Sequence, residues 1–248
     1  GAWMYFSSNS GGSFHIWRQR YPDGRAEQIT FDPTEQEGTA ITPDGRYLIT
    51  SMGLQQAGVV LRGPAGEQPL TSEGFAMTPT MMPGGERMFY MMRQGARGFS
   101  SGELWSMIPA TGERTRVLPG HLVTNYSIST DGRRVVFAAT GGEAGVGIWI
   151  ADLDRRTPPR QIARGQEFRV FFGAPGEVVY VDGSQRRLYR MKDDGTDARA
   201  VSPDPILNLF TVSPDGRWAV VLASESGDGA KIEFVSLVGE PTVPVCCS

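Results

Sequence analysis

The sequence predicts an all-β chain folded as a six-bladed β-propeller whose blades are four-stranded and antiparallel. Three observations predict it. Gly 32 and Pro 17 make up about a fifth of the 248 residues, too turn-rich for a helical bundle and too aperiodic for collagen. One pattern recurs along the chain: TPDGRYLIT at 42–50, STDGRRVVF at 129–137 and SPDGRWAVV at 213–221, with looser copies MPGGERMFY at 82–90 and APGEVVYV at 174–181. Its turn glycines, Gly45, Gly85, Gly132, Gly176 and Gly216, follow one another at steps of 40, 47, 44 and 40 residues, and Gly1 fits as a further anchor 44 residues before Gly45. Four short strands repeated at a period of about 40 residues make a propeller blade. A β-sandwich also has closely spaced strands, but gives no reason for a recurrence at that period.

Each element has a local cause. In the turn, Pro presets φ, Asp bonds its own backbone, and Gly accepts a positive φ. The residue four before each glycine is apolar (Ile41, Met81, Ile128, Phe172, Val212), while the residue five before is small in all but one repeat (Ala40, Thr80, Ser127, Thr211, with Phe171 the exception). Two faces are thus told apart at period two, as a strand requires. An apolar–aromatic pair comes downstream as the third strand: Ile16-Trp17, Leu104-Trp105, Ile148-Trp149 and Leu188-Tyr189, with Val60-Leu61 in the second unit and Ile232-Glu233-Phe234 in the sixth. A second turn and a short strand ending in Ile-Thr or its like close the unit, as at Gln28-Ile29-Thr30 and Pro69-Leu70-Thr71. The predicted blades are 1–30, 31–71, 72–118, 119–162, 163–201 and 202–248, in one domain. The first begins at its second strand and is expected to lack its innermost strand within this chain.

These residues resemble the TolB-like propeller repeat, a relative of the WD repeat. WMYFSSNSGGSFHIWRQRYPDGRAEQIT at 3–30 carries nearly the whole blade signature, and the resemblance is strongest in units one, four and six. QITFDPTEQEGTAITPDGRYLIT, SEGFAMTPTMMPGGERMFYMMR and SGELW look most like propellers attached to bacterial Ser/Thr kinases or winged-helix regulators. The resemblance implies a sensor or protein-interaction domain of an envelope or signalling protein, placed in the periplasm or otherwise outside the cytoplasm.

Composition narrows the partners. Acidic residues outnumber basic ones, 27 to 24, with the signs interspersed, where a nucleic-acid binder shows a basic excess or stripe. No apolar run approaches the ~18 residues of a membrane span. Catalytic chemistry is thinly represented. There are two histidines, His15 and His121, too few for a histidine-rich metal cluster. His15, in a strand beside Ile16-Trp17, reads as a wall residue. A serine nucleophile needs a strained elbow, and the Ser-Gly pairs at Ser10, Ser101 and Ser226 read as turns. Asp44, Asp131 and Asp215 are turn residues, one per blade, and the acids of Asp193-Asp194-Gly195-Thr196-Asp197 are explained by the second turn of their blade. Cys246 and Cys247 stand alone at the end of the sequence. The expectation is a non-catalytic binding propeller with no cofactor, taking a protein, a peptide or a small polar ligand. The alternative is the propeller domain of an enzyme: a peptidase propeller, or a lyase or hydrolase with its site at the channel mouth.

The working surface is expected on the side of the interblade links and not on the side of the Pro-Asp-Gly turns. The Pro-Asp-Gly hairpins are fixed by backbone geometry, whereas the links FDPTEQEG, SEGF, PGHLVTN, RGQEFR and PDPILNL differ from blade to blade. Loops that vary on a rigid scaffold are where function concentrates. That side would carry Glu35, Glu37, Glu73, His121, Asn125, Glu167, Arg169 and Asn208, with the loop RQGARGFSS at 93–101 as a basic lip.

Overall fold

The computed structural model describes residues 2–11, 14–32, 34–53, 57–64, 66–72, 74–93, 101–140, 146–165, 168–202, 204–224 and 229–244, without the side chains of Glu37, Thr140 and Pro244. Every regular element among them is a strand, and every strand pair with a defined register is antiparallel. The chain divides into two compact units, residues 1–78 with 91–100 and residues 79–90 with 101–248.

In the first unit, β1 (Trp3–Ser8), β2 (His15–Arg20) and β3 (Glu27–Gln28) form a three-stranded sheet in that order. β4 (Glu35–Ile41) pairs with β5 (Leu48–Gly53), and β6 (Val60–Gly63) pairs with β7 (Gly66–Pro69). The sequence predicts one four-stranded blade over 31–71; the described strands there form two separate hairpins. The stretch offers little to join them. β6 runs only four residues between Gly58 and Gly63, and its side chains, like those of β7, are exposed.

The second unit is more regular. β8 (Phe75–Met81) and β9 (Met88–Arg93), which contribute residues to both units, lie in a sheet with β10 (Glu103–Met107) and β11 (Arg114–Arg116). β12 (Leu122–Ile128), β13 (Arg134–Thr140), β14 (Gly147–Asp152) and β15 (Arg160–Arg164) form the next four-stranded meander. β16 (Phe168–Phe172), β17 (Glu177–Asp182), β18 (Arg187–Lys192) and β19 (Arg199–Ala200) form another, and β20 (Ile206–Val212), β21 (Trp218–Ser224), β22 (Ala230–Ser236) and β23 (Val243–Pro244) the last. Successive sheets pack face to face. One core joins Val136, Ala138 and Ile148 to Phe168, Val170 and Val178. The next joins Val179, Val181 and Leu188 to Ile206, Ala219 and Val221. The β16–β19 sheet thus buries both faces, one against each neighbour, as a stacked repeat must.

The recurring turn is built the same way three times. The Thr42, Ser129 and Ser213 hydroxyls donate to Asp44, Asp131 and Asp215 Oδ1 at 2.5, 2.6 and 2.5 Å. Those oxygens also accept the backbone N–H of Arg46, Arg133 and Arg217 at 3.1, 3.0 and 3.1 Å. The same hydroxyls accept the N–H of Tyr47, Arg134 and Trp218 at 3.1, 2.9 and 2.9 Å. These bonds fix a common register, in which the residue four before the glycine pairs with the residue three after it: Ile41 with Leu48, Ile128 with Val135, Val212 with Ala219. Where the sequence reads APGE the turn is one residue tighter, and Phe172 pairs with Val178.

The third-strand pair also has a structural cause. Ile16, Leu104, Ile148 and Leu188 are fully buried. Ile16, Leu104 and Leu188 accept the N–H of Ile29, Val117 and Val201 through their carbonyls, at 2.9, 2.8 and 2.8 Å. The threonine that ends the unit takes the N–H coming back, Ile16 to Thr30 Oγ1 at 2.9 Å and Val59 to Thr71 Oγ1 at 2.8 Å. This corrects the second unit. Its counterpart of Ile16 is Val59, 6% exposed, whereas Val60 and Leu61 are 50% and 42% exposed. A shift of one residue exchanges the two faces of a strand. In the sixth unit Glu233 is the inward residue, its carboxylate 2.7 Å from Lys231, while Ile232 and Phe234 lie on the open side.

Candidate functional site

Within the second unit β12, β16 and β20 stand side by side as the first strands of their sheets, starting at the links and ending at the turns. At the link end the structure brings three of the predicted residues together. Arg169 on β16 donates from Nε to Asn208 Oδ1 on β20 at 3.2 Å, and from Nη1 to the Thr124 carbonyl on β12 at 3.4 Å. The Asn125 side chain accepts the N–H of Val170 at 2.7 Å, and Ser127 Oγ accepts that of Phe172 at 3.2 Å. First strands expose their ladder groups to one another without forming a sheet, so side chains satisfy them instead. Asn125 and Arg169 therefore serve as cross-ties between neighbouring sheets as well as surface groups.

The other predicted residues do not join this group. His121 packs edge-on against Phe137 and Trp149, with ring centroids 5.5 and 5.7 Å away, and its Nδ1 is buried without a partner among the described residues. Glu35 begins β4 in the first unit, with Oε2 buried and unpartnered among the described residues. The side chain of Glu37, and Glu73, Glu167 and most of the 93–101 lip, lie outside the described residues.

At the turn end these three sheets and the β8–β11 sheet open a cavity of about 730 Å³. Its floor is Met81, Ile128, Phe172 and Val212, one from each of the four sheets. These are the apolar residues four before the turn glycine, a signal visible in the sequence as strand alternation. None is fully buried, and Met81 is 41% exposed. The rim carries Asp131 and Asp215. Each carboxyl is held below the usual carboxylate range, first by its serine hydroxyl and then by the backbone N–H two residues on. Arg134 is the cation of the wall; it pairs with Asp193 at 2.6 Å and lies 5.5 Å over the Phe172 ring. Neighbouring turns brace one another. Gly216 has φ +71°, and a Cβ there would stand 2.2 Å from the Ala174 nitrogen. Neither the Arg134–Asp193 pair nor the cavity is legible from a single repeat, because both join residues of different sheets.

Chemistry of other kinds finds less support. No group of three or more His, Cys, Asp or Glu able to hold a metal occurs among the described residues. Asp194 is a turn residue, accepting the Thr196 hydroxyl at 2.6 Å and its N–H at 2.8 Å. The Ser-Gly pair at Ser101 belongs to a longer run, Gly98-Phe99-Ser100-Ser101-Gly102, that fits Gly-x-Ser-x-Gly. Ser100 lies outside the described residues, and Gly102 is bridged to Val123 just ahead of β10. A nucleophile elbow is a strand-to-helix turn, and Gly102 leads into a strand instead.

No family model matches the chain, and no curated protein matches it. Solved structures do. The chain is similar to TolB from Acinetobacter baumannii, with TM-score 0.57 and 13% identity over 98% of this chain and 68% of that one. It is similar to an oligogalacturonate lyase of Vibrio parahaemolyticus, with TM-score 0.51 and 10% identity over 99% and 62%. It is also similar to a puromycin-hydrolyzing peptidase of Mycobacterium tuberculosis, with TM-score 0.60 and 14% identity over 98% and 44%. The chain thus spans less than half the length of that peptidase. Likenesses at identities this low show the fold alone, a TolB-like β-propeller, which the lyase and the peptidase also carry.

Proposed function

We propose that the chain is a non-catalytic binding propeller, built of six repeats, that serves as the ligand- or protein-sensing domain of a bacterial envelope or signalling protein outside the cytoplasm. The observation that carries this reading is the turn-end cavity. Four consecutive repeats contribute equivalent residues to one open, apolar-floored space with a few fixed polar groups around it, which is the form of a ligand site. We also propose, from the sequence, that Glu35, Glu37, Glu73, His121, Asn125, Glu167, Arg169 and Asn208 contact the ligand or partner; of these, Asn125, Arg169 and Asn208 stand together at the link end. The runner-up is the propeller domain of an enzyme, and the likeness to a peptidase of more than twice its length is what favours it.

A thermal-shift screen of peptides and small polar ligands, with each hit recovered and weighed by mass spectrometry, separates the two. A ligand that raises Tm and is recovered unchanged after long incubation is expected. Conversion of the hit with turnover would replace this reading by the enzymatic one.

A further inference from the structure

The turn-end cavity has a chemistry of its own; what it takes in is set by its walls and rests on the binding reading above. The floor of Met81, Ile128, Phe172 and Val212 is apolar, yet it faces open space and not a closed core. Apolar surface left so is stabilised by an apolar occupant. The rim is anionic. Asp131 and Asp215 receive their turn hydrogen bonds on Oδ1, and both residues are exposed. Two of the nearby cations are paired with other carboxylates, and the third stands beside Asp131 itself. Arg134 is matched by Asp193, and Arg217 by Glu240, while Arg133 extends from the exposed tip of the Asp131 turn. Four carboxylates, Asp131, Asp193, Asp215 and Glu240, thus stand against three guanidiniums, Arg133, Arg134 and Arg217, and the balance at this end is negative by one charge.

We infer that this cavity binds a short extended peptide segment in which a basic side chain is flanked by apolar ones, the apolar groups resting on the four-repeat floor and the ammonium or guanidinium meeting the Asp131 and Asp215 rim. The volume lies in the ~300–1,000 Å³ range of ligand pockets. The open side lets a chain enter and leave, which suits a segment of a longer polymer better than an enclosed small molecule. The aspartates fix sign and register, and the floor supplies area without demanding one sequence. Specificity then comes from charge complementarity more than from shape.

The probes are the blocked tetrapeptide acetyl-Leu-Arg-Phe-Leu-amide, its counterparts with Gln or Glu in place of Arg, and phenethylammonium. Binding is read by calorimetry and by amide chemical shifts on the whole chain. The variant is Asp131→Asn with Asp215→Asn. The Asn side-chain carbonyl still accepts the serine hydroxyl and the backbone N–H, so the turns persist and only charge is lost; an unchanged amide spectrum away from the turns verifies this. The Arg peptide is expected to bind, the Gln peptide more weakly and the Glu peptide undetectably. The double variant is expected to lose about tenfold in affinity for the Arg peptide. Equal binding of the Glu peptide, or an unaltered affinity in the double variant, overturns the proposal. Phenethylammonium binding as tightly as the Arg peptide overturns the peptide assignment. Peptide-induced shifts confined to Asn125, Arg169 and Asn208 overturn this site while leaving the binding reading intact. Failure of all probes overturns this proposal alone, since the ligand screen tests the binding reading independently.

Discussion

Asp131 makes its contribution through one oxygen atom. Its Oδ1 accepts a serine hydroxyl and a backbone N–H, and the same pair of bonds recurs at Asp44, where the hydroxyl is a threonine's, and at Asp215. All three carboxyls are shifted downward, the hydroxyl being the largest cause. The sign comes from linkage. A group whose folded pKa is depressed contributes stability that is fully present above its unfolded value, ~3.9 for Asp, and that is lost as pH falls through the folded value. Replacing all three by Asn keeps the turns and removes the titration. The variant is therefore expected to show a flatter fall of Tm below pH 4 than the parent, measured by circular dichroism from pH 7 to pH 2. Gly216 is constrained twice, by a positive φ and by the Ala174 backbone that a Cβ would strike. Gly216→Ala is expected to cost about 2 kcal/mol or more in urea unfolding, while Gly45→Ala, with no atom within 4 Å, costs the φ penalty alone. Both aspartate and glycine were legible in the sequence as turn formers. That Gly216 also seats against the preceding sheet was not, because the atoms it meets are some forty residues away in sequence.

The strands show where reading by pattern succeeds and where it slips. Ile16, Leu104, Ile148 and Leu188 stand where the apolar–aromatic pair predicted a third strand, and all are buried. In Gly58-Val59-Val60-Leu61 three apolar residues adjoin, so alternation cannot choose between registers. The structure chooses by hydrogen bonds: Val59 meets Thr71 Oγ1, and its carbonyl accepts the Leu70 N–H at 2.8 Å. Val59→Ala is expected to destabilise by about 2 kcal/mol, whereas Leu61→Ala should change stability by ~0.5 kcal/mol or less. Urea midpoints followed by tryptophan fluorescence compare the two; the reverse order would restore the register read from sequence. The candidate site was legible in part for a related reason. Alternation marked Met81, Ile128, Phe172 and Val212 as one face of their strands, but it cannot say whether that face meets a core or an opening. Likewise Asn125 and Arg169 were recognisable as link residues, while their service as cross-ties depends on strands that only the tertiary structure sets side by side.

At the scale of the molecule the period of the repeat carried the fold class, since a recurrence near 40 residues leaves few architectures. It did not carry the unevenness between repeats. β13 and β17 bury most of their side chains and β21 every second one, whereas β6 and β7 bury none. Local stability tracks buried contacts, so amides of β13 and β17 are expected to exchange with deuterium most slowly, those of β21 at an intermediate rate and those of β6 and β7 fastest, measured by mass spectrometry on the native chain. The hydroxyl–carboxylate turn has a consequence in time as well as in space. All of its bonds close within six consecutive residues, so the hairpins at Thr42, Ser129 and Ser213 can form on the ~1–10 μs scale of isolated hairpins, before any sheet has met its neighbour. The turns at Met82 and Ala174 lack both the hydroxyl and the carboxylate and must wait for flanking sheets to hold them. Folding is then expected to start from alternate repeats, and the plainer repeats between them to close last, as hinges between units already formed.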